Sequence, residues 1–241
     1  MKRLLLLALL FPLAAVASEA VNPDRAPIDI RDAASIQRGA KLFVNYCLNC
    51  HSAQYMRYNR LEDLGLTEQQ IRDNLMFASD KVGNTMSIAA RKSDQAAWFG
   101  VVPPDLSVIA RSRGADWLYT YLRTYYRDDK SATGWNNLAF PNVGMPHVLW
   151  QLQGTQVATV EEKDDGHGGK HKEIKLELAV PGSVSVAEYD GLVADLVNYL
   201  VFMGEPAQAR RAQIGYAVLM ALGVLFVLVY LLKKEFWKDV H

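Results

Sequence analysis

Cys47 and Cys50 are separated by two residues, and His51 follows directly, giving Cys-Leu-Asn-Cys-His. This spacing puts both sulfurs on one side of a single backbone turn. Two thiols so placed can add to the two vinyl groups of a haem as thioethers, with the neighbouring imidazole under the iron. A zinc site is a competing use of Cys and His, but it wants about four ligands and the chain has no third Cys. A thioredoxin-like redox pair belongs beside a βαβ pattern, and none is visible. The motif therefore predicts one haem c, attached covalently through Cys47 and Cys50, with His51 as proximal ligand.

A haem iron held by His51 has a second axial position. Methionine there raises the potential and suits electron transfer. Met56 lies too near His51 in sequence to reach the opposite haem face easily. Met76 fits a helix core, and Met203 ends a helix. Met86 and Met145 remain. Met145 sits in Phe-Pro-Asn-Val-Gly-Met-Pro, a loop stiffened by two prolines, and a rigid loop can hold a weak thioether in place. Met86 has no such stiffening, so Met145 is favoured. His147 is the rival, by bis-histidine ligation.

Two further stretches could touch a flat cofactor. Trp98 to Leu106 is apolar and carries Pro103-Pro104, which fix φ and bias the residue before each toward extended backbone. It reads as one wall of a pocket or as an ordinary loop. Arg111 and Arg113 could pair with a haem propionate, since Arg suits carboxylates, or lie solvated.

The elements that must position these residues can be read from caps and periodicity. Asp32 caps a helix over residues 33–46, with Ile36, Ala40, Phe43 and Val44 on one face. Gly39 inside it costs about 1 kcal/mol relative to Ala, which close approach of a second helix would explain. Thr67 caps a short helix with Ile71, Leu75 and Met76 inward. Asp116 is read as the cap of another, with Trp117, Leu118, Tyr121 and Leu122 apolar and Arg123 outward. Residues 155–180 alternate as a β excursion about a Gly-rich turn at 165–169. His167 and His171 near that turn read as an exposed tip rather than a metal site. Ser185 and Glu188 form a capping box for a helix running to Met203, with Leu192, Leu196, Tyr199 and Leu200 inward, before Gly204 and Pro206 end it.

The two ends differ from the rest. Lys2 and Arg3 precede an apolar run broken by Pro12, then Ala15-Val16-Ala17. This predicts a signal peptide over residues 1–17, too short to span a bilayer comfortably. Residues 214–232 are uncharged and almost wholly apolar, enough for one transmembrane helix. Basic residues flank it on both sides, with a narrow excess after it, and the export signal leaves the N-terminal domain outside. The expected organisation is a signal peptide at 1–17, a periplasmic c-type haem domain at 18–209, an anchor at 210–233 and a cytoplasmic tail at 234–241. The charges balance, 26 basic against 26 acidic, and give no reason to expect a nucleic-acid partner. Asp128, Asp129, Glu161, Glu162, Asp164 and Asp165 could attract a basic carrier protein or be plain surface charge.

Taken together, these features resemble the cytochrome c1 family, the c-haem subunits of the cytochrome bc1 complex. The resemblance spans essentially the whole chain. It rests on Arg38-Gly39-Ala40-Lys41-Leu42-Phe43 leading into the haem motif, then Tyr55 to Leu61. Pro103-Pro104-Asp105-Leu106-Ser107 with Arg111 and Arg113, Met145-Pro146 and the C-terminal anchor complete it. It implies a mainly α fold: a cytochrome c-like helical haem domain with a small β excursion, plus one C-terminal transmembrane helix. It implies His51 and Met145 as axial ligands, Arg113 as the propionate partner and Pro104 at the haem edge, with Trp117 nearby. The implied role is one-electron transfer within ubiquinol–cytochrome c oxidoreductase in the bacterial inner membrane, with no enzymatic activity of the subunit alone. The implied partners are cytochrome b, the Rieske iron–sulfur protein as donor, a soluble cytochrome c as acceptor, and membrane lipid. An independent membrane-anchored c-type cytochrome, or the c-haem subunit of a terminal oxidase, would carry the same haem motif.

Overall fold

The computed structural model describes residues 22–164 and 170–239. The expected signal peptide, the turn at 165–169 and the last two residues of the tail lie outside the described residues. What is described is mainly helical, with three two-stranded antiparallel pairs, as the sequence predicts.

Helix α1 (Ala33–Leu42) begins where its cap places it, with Asp32 Oδ1 accepting from the Ser35 N–H at 3.0 Å. Ile36, Ala40, Phe43 and Val44 are all buried. The α geometry stops short of Tyr46. The chain widens into one π turn, Phe43–Cys47, closed by the Leu48 N–H donating to the Phe43 carbonyl at 2.9 Å. Such turns are frequent at functional sites, and this one ends on the first of the paired cysteines.

Helix α1 lies against α7 (Val186–Gly204). At the crossing, a Cβ on Gly39 would collide with the Asp195 carbonyl and come within 2.7 Å of Tyr199 Cβ. Only glycine lets the two backbones meet so closely. Polar groups lock the register beside it. Arg38 grips Asp195 through two bonds of 2.6 and 2.9 Å, and Asn198 Nδ2 donates to Ser35 Oγ at 2.9 Å and to the Asp29 carbonyl at 2.8 Å. The Ser185–Glu188 capping box opens α7 as expected. Tyr189, Val193, Leu196, Val197 and Tyr199 are buried, so α7 is covered around most of its circumference rather than along one stripe. The reason is that α1, α4 (Ile109–Arg113) and α5 (Ala115–Arg123) all pack on it.

Between these lie β1 (Ala53–Arg57), a 3₁₀ stretch (Tyr58–Leu64), α2 (Glu68–Leu75), β2 (Thr85–Met86) and α3 (Lys92–Phe99). Strand β1 pairs with β2, with Ala53 opposite Met86. Thr67 and Gln70 form a full capping box on α2.

Two expectations about α5 are corrected. The N-cap is Gly114, at φ 87°, two residues earlier than expected. The Asp116 carboxylate accepts instead from the Ala26 N–H at 2.8 Å. Arg123 does not point outward. It bonds Asp190 at 2.6 Å and Asp24 at 2.8 Å and lies 4.4 Å over the Tyr119 ring, pinning the extended N-terminal segment and α7 to α5.

Strands β3 (Tyr125–Arg127) and β4 (Trp135–Asn137) make a short hairpin beyond α5. After α6 (Trp150–Gln153), β5 (Gly154–Asp164) and β6 (Lys170–Pro181) form the anticipated β excursion. Three residues, Glu205 to Ala207, then join α7 to α8 (Gln208–Phe236). Glu205 Oε1 and Arg211 Nη1 close that joint at 2.6 Å. Helix α8 has 29 residues, about 43 Å at 1.5 Å per residue. It is long and apolar enough to cross a membrane, and its apolar side chains are exposed throughout.

Candidate functional site

The π turn ends at Cys47, and the Cys50 and His51 N–H groups both fold back onto the Cys47 carbonyl, at 3.1 and 2.9 Å. Cys47 is buried, Cys50 is half-buried, and the two are not bonded to each other. Burial pushes the Cys47 thiol up to about 12, with the nearby Cys50 adding to the effect. A redox-active dithiol needs the opposite, a lowered pKa. Cys47 therefore does not have the character of a redox-active thiol.

His51 is buried, and its Nδ1 lies 2.7 Å from the Pro104 carbonyl. A carbonyl only accepts, so Nδ1 carries the proton and Nε2 keeps its lone pair. Among the described residues Nε2 has no hydrogen-bond partner. Burial lowers the imidazole pKa against the smaller raising effects of Pro104 and Asp105, so the ring is neutral. A neutral ring with one nitrogen tied and the other free is the state a metal ligand requires.

Pro104 belongs to a strap laid along the chain that follows His51. The Leu106 N–H donates to the Ser52 carbonyl at 2.9 Å. The Gln54 N–H donates to Asp105 Oδ2 at 2.9 Å, and the Tyr55 N–H to Ser107 Oγ at 3.0 Å. Asp105 Oδ1 also accepts from the Ser107 N–H at 2.9 Å. The Pro-Pro segment is therefore tied along the chain that follows His51. Asp105 and Ser107 are the parts of it that sequence reading left without a role. Their only signal was the tripeptide Asp-Leu-Ser after the prolines, with no sign of the partner strand.

The opposing loop is built by two asparagines. Asn136 Oδ1 accepts from the Asn142 N–H at 2.8 Å, and Asn142 takes φ 60°. Asn137 Oδ1 accepts from Ala139 and Phe140 at 2.9 and 3.1 Å, while its Nδ2 donates to the Tyr121 carbonyl at 2.7 Å. This frame holds Gly144 close to Val101. A Cβ on Gly144 would stand 3.1 Å from Val101. Met145 comes next, half-buried, with its Sδ accepting from the Tyr121 hydroxyl at 3.4 Å. Sequence reading singles out Met145 as a candidate but not Asn136, Asn137 or Tyr121 as its supports.

The other ligand candidates sit differently. Met86 is fully buried in the core, its sulfur accepting from the Tyr199 hydroxyl at 3.3 Å. His147 is buried, stacked on Tyr125 at 4.8 Å with the Trp135 edge at 5.1 Å. Burial pushes it down to about 4, and Nε2 has no partner among the described residues. Gln153 Oε1, on its near side, eases that shift without closing a bond.

Arg113 ends α4 with its guanidinium 5.0 Å over Trp117 and 5.8 Å from Phe140. It is exposed and has no carboxylate partner among the described residues. Arg111 lies instead beside Gly204 and Glu205 at the start of the joint to α8, so the two arginines are not interchangeable. Of the acidic groups, Asp128 accepts from Asn136, Asp129 pairs with Arg127 and Glu161 lies 4.0 Å from Lys175. The side chains of Glu162 and Asp164, and Asp165 altogether, lie outside the described residues.

The donor set fits a haem. Paired thiols, an imidazole whose Nε2 has no partner among the described residues, a thioether on a braced loop and an arginine with no carboxylate partner among the described residues are each present. Val101, Val102 and Phe140 expose apolar surface on the segments that carry them. Comparison with known proteins agrees. The family model described as the cytochrome C1 family matches residues 24–167 and 184–240. A protein of Nitrosomonas europaea named ammonia monooxygenase gamma subunit is 52% identical over 241 residues, all of this chain and 98% of that one. Cytochrome c1 of Allochromatium vinosum is 52% identical over 219 residues, 90% of this chain and 89% of that one. A Bradyrhizobium diazoefficiens protein named cytochrome b/c1 is 24% identical over 246 residues, covering 87% of this chain and 34% of that one.

Proposed function

This chain belongs to the cytochrome c1 family, and on that premise we propose that it carries single electrons through one haem c bound by its own thiols. Membership makes it a haem electron carrier of a membrane-anchored bc1 complex with cytochrome b. The finer assignments are our own reading. Cys47 and Cys50 form the thioethers. His51 through Nε2 and Met145 through Sδ are the axial ligands. Arg113 neutralises a propionate, and Pro104 lines the haem edge.

The observation that carries this reading is the bond between His51 Nδ1 and the Pro104 carbonyl. It fixes the tautomer and aims the ring. When bound, the haem supplies an iron that gains and loses one electron. The rest is the work of the chain: the strap orients His51, the asparagine frame holds Met145, and the apolar wall keeps water back. Met86 and His147 are each committed to packing, which supports Met145 as the ligand.

In this reading residues 1–17 are an export signal and 18–209 face the periplasm. Residues 210–233 span the inner membrane, and 234–241 are cytoplasmic. The Rieske iron–sulfur protein donates the electron and a soluble cytochrome c accepts it. A second reading, a subunit of an ammonia monooxygenase, is favoured only by the name of the Nitrosomonas relative.

The test is affinity capture of the tagged chain from membranes in mild detergent, followed by a reduced-minus-oxidised spectrum. A c-haem signal with b-haem signals and a Rieske centre is expected. A c haem without them would make the chain an independent carrier, and capture with an ammonia-oxidising activity would favour the second reading. In the same preparation, Met145→Leu should lower the midpoint potential and open the iron to carbon monoxide.

A further inference from the structure

Tyr121 stands between the Met loop and the buried base of the β3–β4 hairpin. Its ring is stacked on Trp117, with centroids 4.8 Å apart and planes 11° from parallel. The Tyr125 ring meets it edge-on at 5.2 Å. Its hydroxyl lies 3.4 Å from Met145 Sδ and 2.5 Å from the Tyr125 hydroxyl. A tyrosine phenol ordinarily titrates at about 10, so each carries its proton at neutral pH.

Two protons and three heavy atoms leave one fully bonded arrangement. The thioether has no proton, so a bond to sulfur exists only when Tyr121 donates. The Tyr125 proton must then point at the Tyr121 oxygen. The reverse order makes one bond where this one makes two. Tyr125 is almost completely buried and finds no other partner for its hydroxyl among the described residues, so the chain of donors runs toward the sulfur.

We propose that Tyr121 is a positioning residue that holds the Met145 thioether and tunes its strength as an iron ligand, with Tyr125 orienting the proton. This rests on the reading of Met145 as the axial ligand. A thioether sulfur is a weak acceptor with two lone pairs. One can face the iron while the other takes the Tyr121 proton. Drawing density from the sulfur weakens its donation to the iron, and weaker donation favours the ferrous over the ferric state. The Tyr125 bond polarises the Tyr121 hydroxyl and strengthens the effect. The stacking on Trp117 holds the ring still, so the hydroxyl is aimed rather than free to turn to water.

The test uses the detergent-extracted complex. Tyr121→Phe keeps the ring and its stacking and removes only the hydroxyl. At a fixed ambient potential, the ferrous-to-ferric ratio of the c haem should fall about threefold, the scale of one modest hydrogen bond. The weak far-red absorption of sulfur-ligated ferric haem should shift, with b-haem content unchanged. Tyr125→Phe should move the ratio in the same direction by a smaller factor, and it carries the test if Tyr121→Phe does not accumulate. An unchanged or raised ratio with an unshifted far-red band would overturn the inference. Met145→Leu, run alongside, separates the two levels: if it keeps the far-red band, the ligand assignment itself has failed. If only the tyrosine variants are silent, the assignment stands and the tuning does not.

Discussion

The Nδ1 atom of His51 and the carbonyl oxygen of Pro104 lie 2.7 Å apart, across 53 residues of sequence. Proline contributes here through what it lacks as well as what it has. With no N–H of its own and φ fixed, it presents a carbonyl whose direction is set by a stiff backbone. The imidazole inherits that stiffness. An outer partner of this kind orients a metal-binding histidine and raises its basicity.

Asp105 keeps that carbonyl in place, because it bonds both Gln54 and Ser107 through their N–H groups. Asp105→Ala is expected to cost about 1 kcal/mol in unfolding free energy, the usual loss when a side chain stops capping backbone donors. Asp105→Asn, which keeps one oxygen, should lose less. Thermal unfolding followed by haem absorbance measures both. Equal stability in the alanine variant and the parent would show that the strap is held without Asp105.

The paired thiols make a separate prediction. Replacing both Cys47 and Cys50 by Ala should abolish all haem that stays with the chain on a denaturing gel. Each single replacement should leave a reduced amount held by one thioether. Haem staining of the gel reads the result directly. Full retention in the double variant would mean that no covalent bond involves these residues.

Gly39→Ala introduces a methyl group where the Asp195 carbonyl already stands. Helix propensity alone would make this substitution stabilising by about 1 kcal/mol. Overpacking of a helix crossing costs more, typically 1–3 kcal/mol, so the net effect should be destabilising. A lower unfolding midpoint is expected. A raised one would show that α1 and α7 part more easily than their contacts imply.

Glu188 bonds the Ser185 hydroxyl and backbone N–H, and these bonds hold its carboxyl below the ordinary value of 4.5. The unfolded chain then takes up a proton before the folded one does. The stability from this cap is fully present above about pH 4.5 and is lost as the pH falls through the lowered folded value. Glu188→Gln should flatten that part of the acid-unfolding curve. An identical acid limb in variant and parent would assign the acid sensitivity to other carboxylates.

What could be read from sequence was what is local or nearly so. The caps at Asp32, Thr67 and Ser185 each meet a donor three residues on. Gly39 was conspicuous because glycine is costly inside a helix. The haem motif and Met145 stand out in the sequence because chemistry restricts which residue types can serve such a role. What stayed hidden depends on partners far along the chain. Arg123 looked solvated until Asp190, 67 residues later, came beside it. Asp116 looked like a cap, but Gly114 begins the helix and its carboxylate serves Ala26 instead. Asn136 and Asn137 have no pattern of their own, since their task is to brace a loop whose path only the folded chain defines.

Three residues separate α7 from α8, and Glu205 bonded to Arg211 tightens even that short link. Fully stretched, it would reach only about 10 Å. A haem carried on such a mount, as proposed above, would not swing out to collect its charge or to deliver it. Its height above the lipid is a constant of the molecule, like a stop on a line where others arrive and leave. On the proposed function, the timetable of turnover then belongs to a donor and an acceptor that travel, and lengthening the joint would set this protein moving as well.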